Sequence, residues 1–551
     1  MLIWMLACFP EKVVSTPVSE DTGSASSDDT DDAADETEPG DDSEETCNGL
    51  DDDDDGRVDE DARVSINGEG DYSRISGALV DAQSGDSILV CPGTWYEDLA
   101  IDTPVTIRGV EGASETEVRG TGAGSTIQVL ASGVELEGLT ITSGVGEANP
   151  FGGSGTVGGG VFATGFVSLT LSDCVLSGNT ADYGGGLLAQ DVTNVTLTNV
   201  RLQDNEALRE GGGMYLQETM AVLDDVTVSG NVSETGGGLA VYGAAVEAGS
   251  SVITGNVAGN ASLEVGAGGG LTLEDSTWTG STITGNESGY AAGGALLWGT
   301  TSLEDVVLST NDAPYAGGLY ISGSATLESV TIEGNDADLI GGGLYLYEAF
   351  TTLVSVHVQS NSAEDAGGLV AHTSDVVSYG DVTISGNAAD GAGGGVWLYG
   401  GSVLFGTSVE ENSATAGGGL YIQGDSYADS VTIENNEAEA GGGVYVYDDG
   451  TLTDVEIVGN TADEGGGLAV DDGRTELEDC VVEDNFASTG GGAILYDSAY
   501  LESTDTDWGS GSSDNSPNDV EMGEGTAGEG LSWNYGSSAD FDCAGDTGLC
   551  W

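Results

Sequence analysis

Short runs in which apolar and polar residues alternate recur down most of the chain, and an asparagine follows each. Leu327, Val330 and Ile332 lead into Asn335, and Gly341-Gly342-Gly343 then opens Leu344-Tyr345-Leu346-Tyr347. Alternation over runs this short predicts strands, not helices. The asparagines are Asn179, Asn205, Asn231, Asn256, Asn286, Asn311, Asn335, Asn361, Asn387, Asn412, Asn436, Asn460 and Asn485, stepping by 24–26 residues except for one step of 30 after Asn256. A fixed period in this range predicts stacked supersecondary units that share one core. The expected fold is all-β, a parallel β-helix of about 25-residue coils. At about 4.8 Å per coil the marked coils make a stack of roughly 60 Å.

The period assigns roles to its own landmarks. Equivalent asparagine amides from coil to coil are expected to bond each other and the turn backbone, as amide ladders do in cross-β stacks. Glycine triplets interrupt every coil where the chain must turn tightly. Ahead of the repeats, Ile75, Ala78, Leu79 and Ala82 have a helical period, which predicts a short amphipathic helix covering the open end of the stack. The chain divides into an N-terminal segment (1–8), an acidic linker (9–62), a cap with the first coils (63–119), the repeats (120–510) and a C-terminal cap (511–551).

Composition narrows the partners. Across 551 residues the formal net charge is -86, with 93 glycines, nine Lys plus Arg, and Lys12 the single lysine. Nucleic-acid binding needs cations to displace counterions from phosphate, so that class is excluded. An anionic membrane surface would repel the chain for the same reason. Divalent cations, glycans and basic or cell-surface proteins remain. The linker is crowded with Asp, Glu, Ser and Thr and has too few large apolar residues to offset its ordering entropy.

Three stretches resemble known families. Ser87-Ile88-Leu89-Val90-Cys91-Pro92-Gly93-Thr94-Trp95-Tyr96-Glu97, with Pro104-Val105-Thr106-Ile107-Arg108-Gly109, resembles the opening coil of the pectin-lyase-like superfamily of right-handed β-helices. Trp95 stands where that signature has a small or aliphatic residue. The recurrent Gly-Asn and Gly-Gly-Gly-Leu pairs over about residues 150–500 resemble the repeats of polymorphic outer-membrane proteins, without their Phe. That resemblance implies cell-surface display. Met1-Leu2-Ile3-Trp4-Met5-Leu6-Ala7-Cys8 resembles the end of a bacterial lipoprotein signal, which implies lipidation at Cys8 and an envelope or secreted location in a Gram-negative-type bacterium. Membrane contact is then expected only through the anchor.

The acidic linker closes on Cys47-Asn48-Gly49-Leu50-Asp51-Asp52-Asp53-Asp54-Asp55-Gly56. Asp51, Asp53 and Asp55 have the alternation of a calcium loop; position twelve is Ala62, so the bidentate ligand comes from Asp59, Glu60 or Asp61, or is absent. The segment also resembles an Asp-rich metal-binding motif of bacterial surface proteins, but Asp54 replaces that motif's second cysteine. Cys543 and Cys550 are spaced for a small disulfide loop. Cys174 and Cys480 occupy equivalent places in two repeats and are expected to be buried thiols.

Catalytic constellations are sparse, and the expectation is a binding or structural protein, not an enzyme. Beyond residue 120 the basic side chains are Arg201, Arg209 and Arg474. Arg201 and Arg209 near Asp204 and Glu206 are the best candidate cluster for the alternative, a polysaccharide lyase or hydrolase. His357 and His372 fall on outward phases and are expected to be solvated. The outward positions after each glycine turn include Tyr215, Tyr320, Tyr345, Trp397, Tyr421 and Tyr445. Two residues on come Tyr242, Trp298, Tyr347, Tyr399, Tyr447 and Tyr496. In register, these form two adjacent ring columns, a candidate face for a glycan or protein.

Overall fold

The computed structural model describes residues 47, 63–259, 266–496, 499–522, 531–534 and 543–544, all within one compact unit, Glu44–Trp551. Cys8, the linker apart from Cys47, and the calcium-loop residues Asp51, Asp53, Asp55, Asp59 and Glu60 lie outside the described residues, as does Cys550.

The repeats form a parallel β-solenoid. One coil shows the plan. Leu344–Tyr347 and Phe350–Val354 both lie in a wide sheet, His357–Gln359 lies in a second sheet and Ser362–Asp365 in a third. The next coil starts at Leu369, and Leu344 pairs with Leu369, Val358 with Ile384 and Ala363 with Ala389. Equivalent residues of successive repeats therefore stand on one another. From Val118 to Val482 the central inward position of each strand of the second sheet carries an aliphatic side chain, such as Leu308, Ile332, Val358, Ile384, Val409 and Ile433, all 0% exposed. Burying one such side chain contributes roughly 1.5–3 kcal/mol, and no single coil could provide this interior alone.

Four corners in this coil hold residues in the left-handed region: Glu348 (φ 47°), Ser355 (φ 52°), Ser360 (φ 55°) and Ala366 (φ 52°). Gly, Asp, Asn and Ser reach that region at least cost, and they fill most such corners. The glycine triplets need a finer account than turning. In Gly341-Gly342-Gly343 only Gly341 has positive φ (78°). A Cβ on Gly342 would lie 2.3 Å from the Ser362 carbonyl oxygen, and one on Gly343 would lie 2.7 Å from that of Gly368. The second and third glycines are required because the next coil passes too close for any side chain.

The asparagine ladder forms as expected and runs one rung further. Each amide Nδ2 donates to Oδ1 of the next asparagine, unbroken from Asn179 to Asn515; for Asn335 and Asn361 the distance is 3.0 Å. The backbone N–H of Asn335 donates to the same Oδ1 at 2.9 Å, and its Nδ2 also donates to the Leu308 carbonyl at 3.0 Å. At the first rung Gly144 N–H donates to Asn179 Oδ1. At the last, Asn515 Nδ2 donates to buried Asp519.

The open N-terminal end is covered as expected by a helix, Ile75–Asp81, whose Ile75 and Ala78 are buried. The Ile75 and Ser76 N–H groups donate to the Glu97 carboxylate at 2.8 and 3.0 Å, which anchors the helix N-terminus. Cys47 pairs with Cys91, a disulfide between the acidic linker and the first coil. Cys174 and Cys480 are buried free thiols, pushed up by burial to about 12 and about 11.

Replacing Asn335 by leucine should remove four side-chain hydrogen bonds and strand the Asn311 donors without water. The expected loss is about 3 kcal/mol or more. Hydrogen exchange should report it first in the coils around Asn311 and Asn361, and protection equal to wild type would contradict a stabilising ladder.

Candidate functional site

The outward face of the wide sheet carries the aromatic residues because its strands open just after the glycine turn. In Leu344-Tyr345-Leu346-Tyr347 the leucines are fully buried and the tyrosines face out. The strand pairings place these outward residues in two adjacent columns. The first reads Leu296, Tyr320, Tyr345, Val370, Trp397, Tyr421 and Tyr445. The second includes Tyr347, His372, Tyr399, Gln423 and Tyr447. Eight of the twelve rings singled out above, Tyr320, Tyr345, Tyr347, Trp397, Tyr399, Tyr421, Tyr445 and Tyr447, therefore share one face. Nearer the N-terminus, Tyr215 and Tyr242 pack 5.3 Å apart.

Within the first column the rings pack on each other. Tyr320 and Tyr345 are stacked with centroids 5.2 Å apart, Tyr421 and Tyr445 are stacked at 5.3 Å, and Trp397 meets Tyr421 edge-on at 5.4 Å. In the second column His372 sits between Tyr347 and Tyr399, at 5.0 and 4.7 Å. The Tyr345 hydroxyl lies 3.3 Å from His372 Nδ1. The expectation of a solvated His372 is thus corrected. Its outward phase is right, but the neighbouring rings close over it, and burial lowers its pKa against an opposing pull from Glu348. His357 is also half-buried, with Nδ1 2.8 Å from the Thr383 hydroxyl.

These columns meet the end of the third sheet along a groove at the glycine corner. There Tyr315, Ile340 and Asp365 follow one another in register, and Ala392, Ala416 and Ala440 continue the wall. The groove deepens to a depression of about 210 Å³ lined by Ile340, Tyr345, Val370, His372, Trp397 and Tyr399. The indole N–H of Trp397 is buried there without a hydrogen-bond partner among the described residues. The second strand of each coil extends the apolar face with Phe350, Tyr379 and Phe405, which are 51%, 57% and 37% exposed. Pairing of Val354 with Tyr379 and of Val377 with Phe405 places these rings on the same three coils. The alternation of the second strand carried that signal, in the same outward phase as the first.

Carboxylates hold several tyrosine hydroxyls. Tyr445 donates to Asp471 at 2.9 Å and Tyr496 to Glu464 at 2.5 Å. Towards the N-terminus burial pushes the Glu210 carboxyl up beside Tyr242. Arg209 lies over the Tyr183 ring, 5.8 Å away, and 3.9 Å from Asp182. Its partners belong to the preceding coil and not to Asp204 or Glu206. Among the described residues no group of His, Cys, Asp and Glu is clustered to hold a metal, and no helix is long and apolar enough to cross a membrane.

The architecture is that of a parallel β-solenoid with an aromatic groove on its widest sheet. The chain belongs to the right-handed β-helix family, whose "Right handed beta helix region" matches residues 125–313 and 342–506. No curated protein matches the sequence. Among solved structures, PfbA, a surface adhesin of Streptococcus pneumoniae, aligns at 10% identity over 73% of this chain and 86% of its own, with a TM-score of 0.19.

Burial raises the tyrosine hydroxyls of the column, with Tyr345 and Tyr421 each at about 12. A tyrosine whose folded pKa exceeds its unfolded value near 10 stabilises the fold fully below pH 10 and loses that contribution as pH rises through about 12. Ultraviolet titration should therefore show exposed tyrosines ionising first. The column should follow together with a fall in melting temperature between about pH 10 and 12. A single tyrosine transition near 10 would contradict the packed column.

Proposed function

We propose that this chain is an extracytoplasmic surface protein whose aromatic groove binds a glycan. The observation that carries the reading is the alignment of Tyr345, Trp397, Tyr399 and their neighbours around one apolar depression on a solvent-facing sheet. Rings held by their neighbours lose little entropy on binding, and large exposed aromatic patches usually mark contact surfaces. The Cys47–Cys91 disulfide favours an oxidising compartment. Lipidation at Cys8 and an adhesive role on the bacterial envelope belong to the same proposal.

Calcium at Asp51, Asp53, Asp55, Asp59 and Glu60 is part of it too. The described residues that flank this segment are held together. Cys47 is bonded to Cys91, its carbonyl accepts from the Ser65 hydroxyl at 2.7 Å, and Cys91 N–H donates to the Arg63 carbonyl at 2.9 Å. Fixing both ends lowers the entropy cost of converging carboxylates on a cation.

A second reading, glycan cleavage, is favoured by one observation. Glu210 is a carboxyl pushed up by burial among tyrosines, the environment of a general acid.

One experiment addresses both readings. Purified protein is titrated with a panel of soluble oligosaccharides and the products are analysed. Trp397→Ala should weaken binding at least about tenfold, the loss of roughly 1.4 kcal/mol, with the melting temperature little changed. No saccharide bound by wild type, or equal binding by the variant, would defeat the groove reading. Shortened or unsaturated products that vanish in Glu210→Gln would establish the enzymatic one.

A further inference from the structure

The first ring column has a gap. Coil by coil it reads Tyr320, Tyr345, Val370, Trp397, Tyr421, Tyr445, so an aliphatic residue interrupts an otherwise continuous run of rings. Adjacent rings in this column are 5.2 to 5.4 Å apart. Tyr345 and Trp397 are two coils apart, on the order of 10 Å at the strand spacing. The 210 Å³ depression lies at this interruption, lined by those two rings and by Val370, which its neighbours leave 2% exposed. On these same three coils the neighbouring column is filled, because His372 bridges Tyr347 and Tyr399 and walls the slot on that side.

Resting on the glycan reading, we propose that this slot takes one uncharged pyranose ring, seated as the missing rung, and that Val370 determines its specificity. Size is the first argument. A drug-sized ligand needs roughly 300 Å³ or more, so 210 Å³ suits a single ring. Lining is the second. The walls are apolar, while the Tyr345 hydroxyl and His372 Nδ1 meet at one edge. A pyranose has apolar C–H faces and a hydroxylated rim, matching both, whereas an apolar aromatic side chain would leave the polar edge unused. Charge is the third. Glu348 and Asp365 stand on the slot's own coils, and no Lys or Arg occurs between Arg209 and Arg474. A uronate would bring a carboxylate to a site that offers it no cation. Spacing is the fourth. Rungs recur about every 4.8 Å, while an extended peptide advances about 3.3 Å per residue and would fall out of step with them.

Val370→Tyr supplies the missing ring, and binding of cellohexaose, mannohexaose and N-acetylglucosamine hexamer is measured beside galacturonate hexamer. The best neutral binder should lose at least about tenfold in affinity for Val370→Tyr. Val370→Ala should keep affinity within about threefold. A Val370→Tyr protein that binds as wild type, while Trp397→Ala does not, would overturn the slot and leave the glycan reading standing. Wild-type protein that binds no saccharide would overturn both. Should Val370→Tyr fold poorly, competition on wild type decides. Displacement of the hexamer by a neutral methyl glycoside supports the slot. Displacement by N-acetyltyrosine amide but by no glycoside overturns it in favour of a peptide side chain, and galacturonate bound as tightly as the neutral sugars overturns the charge argument.

Discussion

Everything in this molecule depends on parallel hydrogen bonding between coils with no slip in register. The asparagine ladder enforces it from inside. Each Oδ1 accepts both the side-chain and the backbone N–H of the asparagine before it, as Asn361 does for Asn335 at 3.0 and 2.9 Å. Slipping one coil by a residue would break these bonds in a site closed to water. It would also turn a strand's aliphatic side chains outward. The same constraint sets the glycines at Gly342 and Gly343, where the following coil comes within 2.3–2.7 Å of a notional Cβ. Register on the inside is what permits columns of rings on the outside.

The acidity of the chain follows in part from the same geometry. The corners of each coil demand left-handed backbone, and short polar side chains tolerate it best after glycine. Asp173, Asp204, Asp225, Asp305, Asp454 and Asp479 all occupy such corners. Because coils repeat, these carboxylates also repeat, and like charges face each other between strands, as Asp312 and Asp336 do. Burial and the neighbouring Asp338, Asp336 and Glu287 push the Asp312 carboxyl up. Self-repulsion along such a stack is screened by salt, so the medium contributes to the stability of this fold.

Much of this was legible in the sequence, for a physical reason. When equivalent residues stand on one another, sequence period becomes spatial proximity, so the ladder from Asn179 to Asn485 and both ring columns could be read directly. What escaped reading lies where periodicity fails or where neighbours act together. Asn515 follows Asn485 by 30 residues, across a 3₁₀ turn at Gly511–Ser513, and so hides from a 25-residue search. The Cys47–Cys91 bond joins the acidic linker to the first coil, both outside the repeat. The outward phase of His372 was plain, but its burial was not. That burial comes from Tyr347 and Tyr399, one coil to either side. The depression at Val370 was the least visible feature, since it is marked by a side chain that is small where its neighbours are large.

That last feature has a bearing on how such proteins diversify. On a lattice of identical steps, a recess arises wherever one position in a row lacks its bulky group, as Val370 does between Tyr345 and Trp397. No loop need be inserted and no backbone moved. A lineage could shift, duplicate or erase its recess by single-codon changes along the row, while the scaffold beneath stayed as it was.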